Sequence, residues 1–195
     1  MTGRPLRPRE LWARERRQAR RQRRLEQYRR GLRPFAVAAC DISKDHNVGS
    51  LVRTAHAAAA EEVLLTGERD WNRYAAKTAE LYTRVGHLPG TEELLGYLGE
   101  RGYSLVAVEL DPRAVPLFEA EYPERPCFVL GAELGGLEAP VLDAAELIVQ
   151  IPQWGLVPSL NLAVAGSIVI YDYLGKLHRA GRLDRPSGGL PQGED

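Results

Sequence analysis

The 195-residue chain is poor in cysteine and histidine, and both shortages exclude classes of site. Cys40 and Cys127 are its two cysteines; each lies in an apolar run, and they predict neither a zinc site nor a disulfide framework. The four histidines have no metal-ligand spacing, so we expect no bound metal. The first residues contain no apolar segment typical of a secretory signal. Together these absences predict a reduced, cytoplasmic protein.

Long apolar runs and the common nucleotide-binding motifs are missing as well. The uncharged stretch Leu147–Tyr171 is interrupted by Pro152, Pro158 and polar residues, so it lacks the roughly 18 consecutive apolar residues of a membrane span. The glycines of Gly131–Leu137 follow neither the G-x-G-x-x-G pattern nor the P-loop. No nucleophile elbow with serine, histidine and aspartate elements is present. We therefore expect neither a membrane protein nor a serine hydrolase.

Charge is divided unevenly along a chain whose overall net charge is zero. Residues 1–33 hold 13 arginines against three acids, a net charge of +10, whereas the remainder holds 13 basic and 23 acidic residues, a net charge of −10. Residues 9–30 are good helix formers without glycine or proline, which predicts an Arg-rich N-terminal helix. We predict that residues 1–33 form a basic arm for a nucleic acid; the alternative is a merely solubilising tail.

Short apolar runs alternate with helical segments in the rest of the chain. This order predicts an α/β domain with a mostly parallel sheet and helices on both faces. Thr91 is predicted to open a capping box, and Ser159 is predicted to be the N-cap of the last helix. The predicted strands are 35–40, 62–66, 103–110, 127–130 and 147–151, and the predicted helices are 50–60, 91–101 and 160–173.

Polar side chains follow several of the predicted strands, at the sheet edge where open α/β domains bind ligands. Asn47 and Arg53 come after the first strand, and Glu133 lies between glycines after the fourth. Arg53, among small and apolar neighbours, needs an anionic partner that is either a structural carboxylate or a substrate phosphate. Glu133 either contacts a ligand or is an exposed turn residue. Ser159 and Asn161 reach the mouth of the last helix.

Three segments together resemble a known family. They are N-V-G-S-L-V-R at Asn47–Arg53, L-G-A-E-L-G-G-L at Leu130–Leu137, and I-P-Q-W-G-L-V-P-S-L-N at Ile151–Asn161. In this order they resemble the signature motifs of the SpoU/TrmH family of RNA ribose 2′-O-methyltransferases, in the SPOUT superfamily. The basic arm and the segment A-G-R-L-D-R-P after the last helix look most like the tRNA (guanosine-2′-O) branch.

The resemblance implies a fold, a cofactor and an assembly. It implies a SPOUT methyltransferase domain over residues 34–180 with a C-terminal deep trefoil knot. The Gly/Pro-rich composition after Arg185, and not the resemblance, predicts a flexible tail over 181–195. The resemblance implies S-adenosylmethionine as cofactor, held chiefly by backbone groups at Gly131, Ile151 and Leu160 and also at Leu110. It further implies a homodimer, with the apolar helix 160–173 at the interface.

The resemblance also implies catalytic roles. In relatives the motif-one arginine, here Arg53, is proposed to accept the ribose proton with help from a substrate phosphate. Because guanidinium groups stay protonated in proteins, we favour Arg53 as a phosphate clamp and leave the proton transfer open. Asn47, Glu133, Ser159 and Asn161 are expected to hold Arg53 and the loops by hydrogen bonds. The expected substrate is tRNA; the alternatives are ribosomal RNA and a non-catalytic RNA-binding role.

Overall fold

The computed structural model describes residues 8–42, 46–67, 71–131, 135–157 and 159–183. The chain divides into two units, Met1–Arg33 and Pro34–Asp195. In the first unit, helix α1 spans Pro8–Arg30 and exposes the side chains of Leu11 and Trp12. Most of the predicted C-terminal tail, residues 184–195, lies outside the described residues.

The second unit is built on one seven-stranded parallel sheet with the order β3-β2-β1-β6-β4-β7-β5. Its strands are β1 Arg33–Ile42, β2 Ala60–Gly67, β3 Arg84–His87, β4 Ser104–Val108, β5 Val115–Pro116, β6 Pro126–Leu130 and β7 Leu147–Gln150. Its helices are α2 His46–Ala57, α3 Thr91–Arg101, α4 Ala139–Ala144 and α5 Leu162–Arg179. Short 3₁₀ turns occur at Arg73–Ala76, Ala79–Leu81 and Leu117–Glu119. The predicted α/β domain with a parallel sheet is thereby confirmed.

Two strands were not predicted from the sequence, and both lie at the edges of the sheet. β3 consists of Arg84, Val85, Gly86 and His87, and it has no fully buried residue. β5 is two residues long and contains Pro116, which an edge strand tolerates because the missing amide need not bond a neighbour. Neither segment contains the apolar run by which the five central strands were recognised.

The core lies on both faces of the sheet because alternate residues of the buried strands point in opposite directions. In β1, Phe35, Val37 and Ala39 join the cluster that packs against α2 and α5. Ala36, Ala38 and Cys40 join the cluster that includes residues of α3 and α4. Among the described residues, no helix combines the length and the apolar character that a membrane crossing needs.

The predicted N-caps of α5 and α3 were wrong. The N-cap of α5 is Asn161, whose Oδ1 accepts hydrogen bonds from Ala163 N at 3.0 Å and Val164 N at 3.3 Å. Ser159 instead lies in the preceding loop, because the helix begins at Leu162. The N-cap of α3 is Gly90, and the hydroxyl of Thr91 donates to Glu138 Oε2 at 2.7 Å, so it does not cap the helix.

Replacing Asn161 with alanine should lower the free energy of unfolding by about 1 kcal/mol, because two amides of the first helical turn lose their acceptor. Asn161→Asp retains an acceptor and should remain close to the unchanged protein. Ser159→Ala should change stability by less than about 0.5 kcal/mol, since Ser159 caps nothing. Urea unfolding of the three variants measures the differences. A larger loss for Ser159→Ala than for Asn161→Ala would contradict the assignment of the cap.

Candidate functional site

A cleft of about 160 Å³ opens where the chain leaves strands β4, β6 and β7. Its wall contains Val108–Leu110 from the end of β4, Leu130, Gly131 and Gly136 after β6, and Ile151, Gln153, Ser159 and Leu160 after β7. Leu162 and Ala165, in the first turn of α5, complete the wall. The cleft therefore lies at the carboxyl ends of parallel strands, the edge at which open α/β sheets bind ligands.

Two glycines permit the loops of the cleft to approach one another closely. A Cβ atom at Gly131 would collide with the backbone of Gly136 and lie 2.7 Å from Leu137 N. Gly136 itself has a φ of 67°, in the left-handed region that favours glycine. A Cβ atom at Gly136 would lie 2.5 Å from Glu109 Oε2. The glycine-rich second motif thus reflects packing of backbone against backbone and against a carboxylate.

Glu109 is a residue of the cleft that the sequence analysis missed. Its Oε1 accepts a hydrogen bond from Leu110 N and its Oε2 accepts one from Leu137 N, both at 2.9 Å. One side chain therefore joins the segment after β4 to the loop after β6. The available signal was an acid at the carboxyl end of a buried apolar strand, but Glu109 was counted within the predicted strand 103–110.

Arg53 lies on α2 and is exposed to solvent. Within the described part of the chain, no carboxylate forms an ion pair with it. The sequence predicts either a structural carboxylate or a substrate phosphate as the partner of Arg53. The described residues contain no such carboxylate. Asn47, one turn and a half earlier, is half-buried in the first turn of the same helix.

Helix α2 is fixed against α5, the helix that begins at the cleft. Gly166 of α5 has no room for a side chain, because a Cβ atom there would collide with the buried Leu51 of α2. One turn from this contact, the hydroxyls of Thr54 and Ser167 lie 3.0 Å apart. Packing of the helix that carries Arg53 is thus coupled to packing of a helix that lines the cleft.

The two cysteines do not offer a nucleophile. Burial raises the pKa of the Cys40 thiol to about 12 and raises the pKa of Cys127 well above its ordinary value. Both thiols therefore stay protonated near neutral pH, whereas a thiolate is the reactive form. Among the described residues, no cluster of histidine, cysteine or acidic side chains could hold a metal ion.

Comparison with known proteins identifies the family. A family model described as the SpoU rRNA Methylase family matches residues 34–171. The chain belongs to the SpoU methylase family. It is 30% identical over 178 residues to a tRNA (guanosine(18)-2′-O)-methyltransferase of Thermus thermophilus, covering 89% of this chain and 91% of that relative.

Two solved structures of SpoU-type proteins resemble the fold. The Aquifex aeolicus TrmH/SpoU tRNA modifying enzyme matches 85% of this chain and 88% of its own chain, with a TM-score of 0.73 and 24% identity. An rRNA methyltransferase of Sinorhizobium meliloti, solved with AdoMet bound, matches 76% of this chain and 60% of its own, with a TM-score of 0.67 and 26% identity.

The structure brings together some of the residues predicted from the SpoU motifs. Gly131, Ile151, Leu160 and Leu110, predicted to hold the cofactor, all lie in the cleft wall with Ser159. Arg53 and Asn47 lie on α2 and Asn161 caps α5; none of the three is part of that wall. Glu133 lies outside the described residues, so its predicted role stays a prediction.

Glu109→Ala should lower the free energy of unfolding by about 2 kcal/mol, because the amides of Leu110 and Leu137 lose a charged acceptor in a half-buried position. The substitution should also weaken the binding of S-adenosylmethionine, since the loops after β4 and β6 that form the cleft lose their connection. Unfolding in urea and calorimetric titration with S-adenosylmethionine measure the two effects. The exposed Glu121→Ala is the matched control, and equal stability of the two variants would show that Glu109 does not hold the loops.

Proposed function

We propose that this chain is an S-adenosylmethionine-dependent RNA methyltransferase that methylates a ribose 2′-hydroxyl in tRNA. The observation that carries the proposal is the cleft, whose wall combines residues from the second and third motifs with the first turn of α5. Membership of the SpoU methylase family supports it, and so does the similarity to nearly the whole length of a tRNA (guanosine(18)-2′-O)-methyltransferase.

The cleft suits S-adenosylmethionine in its chemistry. Leucine and isoleucine side chains supply an apolar wall for an adenine ring, while Glu109, Gln153 and Ser159 supply polar groups. Gly131 and Gly136 let the segments of the cleft wall approach one another closely, and a Cβ atom at either position would prevent this approach. Residues Gly131, Ile151, Leu160 and Leu110 would hold this cofactor, which when bound supplies a methyl group on a sulfonium centre.

The proposed role of Arg53 is to grip a phosphate of the RNA and to orient the neighbouring ribose. An exposed guanidinium without a carboxylate among the described residues is available for such a contact. Orientation matters because the ribose oxygen must be aligned with the methyl carbon that it attacks, opposite the bond that breaks. Asn47, Glu133, Ser159 and Asn161 are proposed to keep this arginine and the loops in register.

A deep trefoil knot and a homodimer are part of the same proposal. The order of the strands supports the knot, because β6 lies between β1 and β4, and β7 lies on the far side of β4. The loops after these strands make the cleft wall. For the dimer, Val164 and Tyr171 lie two turns apart on one face of α5 and are about half exposed, which supports this helix as a contact between subunits.

Nucleoside mass spectrometry tests the proposed reaction. RNA incubated with the protein and isotope-labelled S-adenosylmethionine should yield labelled 2′-O-methylated nucleosides from tRNA. Label in ribosomal RNA instead would favour the second candidate function, a ribosomal RNA 2′-O-methyltransferase. The similarity of this chain to the S. meliloti rRNA methyltransferase supports that candidate. Label in neither RNA would contradict an enzymatic function.

Arg53→Ala should reduce kcat/KM about 10²–10³-fold, the usual loss when one charge-stabilising donor is removed from a reacting centre. Binding of S-adenosylmethionine should remain unchanged, because Arg53 is not part of the cleft wall. Arg53→Lys keeps the charge but loses the planar fork, so it should be intermediate. Single-turnover methylation and calorimetric titration measure the two effects. Nearly normal turnover of Arg53→Ala would refute the role.

The arginines of α1 should contribute affinity for RNA that weakens with salt. Replacing Arg14, Arg16, Arg17 and Arg20 with glutamine in the full chain should reduce the slope of log affinity against log salt by up to about 2.8–3.6, at 0.7–0.9 for each lost phosphate contact. Lysine at the same four positions keeps the charge and should keep most of the slope. Filter binding at several salt concentrations measures it, and an unchanged slope in the glutamine variant would show that the arm does not contact phosphates.

A further inference from the structure

The basic residues of the second unit fall into two groups according to their partners. Residues 34–183 include ten described lysines and arginines. Five of them lie within 3.7 Å of a described carboxylate: Arg84, Arg101, Arg113, Arg125 and Lys176. The other five form no ion pair with the carboxylates of the described residues: Arg53, Arg73, Lys77, Arg179 and Arg182.

The segment that carries Arg73 and Lys77 packs on α2, the helix that carries Arg53. A Cβ atom at Gly49 of α2 would lie 2.6 Å from Ala75 Cβ and 2.7 Å from Asn72 O, so the turn Arg73–Ala76 rests directly on this helix. Arg53 follows Gly49 by four residues and therefore shares its face of α2.

The same face of α2 continues along the rest of the segment that precedes β3. Seven residues after Gly49, His56 Nδ1 lies 3.1 Å from Thr83 Oγ1. Residues 72–83 therefore run along the face of α2 that carries Arg53, and Arg73 and Lys77 are exposed within this segment.

An exposed aromatic ring accompanies the cations. Tyr74 is 79% exposed, and Lys77 Nζ lies 4.0 Å from the centroid of its ring. Asn72 Oδ1 accepts a hydrogen bond from Tyr74 N at 3.0 Å, which fixes the backbone that presents the ring. Cations for phosphates and an aromatic face for a base are the two components of surfaces that bind unpaired nucleic acid.

The backbone is strained just after the turn Arg73–Ala76. Lys77 has a φ of 50° and Thr78 has a φ of 73°, and both lie in the left-handed region that favours glycine. A β-branched residue such as threonine is rarely found there. Such strain clusters at functional sites, where the surrounding structure maintains it. It presents the Lys77 side chain beside Tyr74.

We propose that Arg53, Arg73, Tyr74 and Lys77 form a docking surface for an unpaired stretch of the RNA substrate. Arg73 and Lys77 contact phosphates next to the one that Arg53 grips, and Tyr74 stacks on a base. Charge complementarity supports this occupant, because Arg53, Arg73 and Lys77 form no ion pair with the described carboxylates in a part of the chain, residues 34–195, whose net charge is −10. The inference rests on the proposed function and adds to it the residues that place the RNA.

Neutralising the two cations tests the electrostatic part in the full-length protein. The double variant Arg73→Gln, Lys77→Gln should reduce the slope of log affinity against log salt by about 1.4–1.8 and lower affinity for tRNA about tenfold at moderate salt. The matched variant Arg73→Lys, Lys77→Arg keeps both charges and should keep the slope. Affinity for S-adenosylmethionine and the melting temperature should stay unchanged in both, since all substituted side chains are exposed.

Substitution of the ring tests the stacking part. Tyr74→Leu should lower affinity for tRNA at least fivefold, whereas Tyr74→Phe retains the aromatic face and should bind normally. Equal affinities for the leucine and phenylalanine variants would overturn stacking at this position.

The remaining outcomes separate the docking surface from the proposed function. An unchanged salt slope in the glutamine variant, with the unaltered protein still methylating RNA, would overturn the docking surface alone. Failure of the unaltered protein to methylate any RNA would overturn the proposed function. A smaller particle mass of the glutamine variant by light scattering would assign the surface to contact between copies of the chain and would also overturn the inference.

Discussion

The cleft depends on the hydrogen bonds that the Glu109 carboxylate accepts. Three loops meet where β4, β6 and β7 end, and loops at such an edge have no ladder of their own to hold them. Glu109 supplies acceptors to amides of two of these segments, and Gly136 leaves the space that the carboxylate occupies. Because the Glu109 side chain already joins the two loops, the loops lose less conformational entropy when a ligand binds.

The second constraint is the double use of α5. Its first turn lines the cleft through Leu162 and Ala165, while Gly166 and Ser167, on adjacent positions, contact α2. A shift of α5 would therefore change the cleft and displace the helix that carries Arg53 at the same time. Arg53 itself forms no ion pair with the described carboxylates, and the packing of α2 against α5 sets the position of the helix that carries it.

The sequence predicted the central strands and the sheet edge that carries the cleft on physical grounds, whereas the cleft residues Gly131, Ile151, Leu160 and Leu110 came from the resemblance to the SpoU/TrmH motifs. Strands buried on both faces are continuous apolar runs, and the polar or glycine-rich segments that follow them meet at one edge of a parallel sheet. The N-cap of α5 could not be chosen in this way, because Ser159 and Asn161 are both good caps and the path of the loop decides between them. Glu109 was missed because its partner, Leu137 N, lies 28 residues away in the chain.

The proposed division of charge separates how tightly RNA is held from where it is placed. Affinity from the arginine-rich arm is insensitive to sequence and weakens with salt. The acidic second unit opposes phosphates at long range, over a screening length of about 8 Å at physiological salt. Cations without carboxylate partners among the described residues counter this repulsion locally. Three of them lie on α2 or on the segment that packs against it: Arg53, Arg73 and Lys77. In the proposed arrangement, an RNA attracted by the arm would be repelled from most of the second unit and would dock beside Arg53, where a ribose must lie for the proposed transfer.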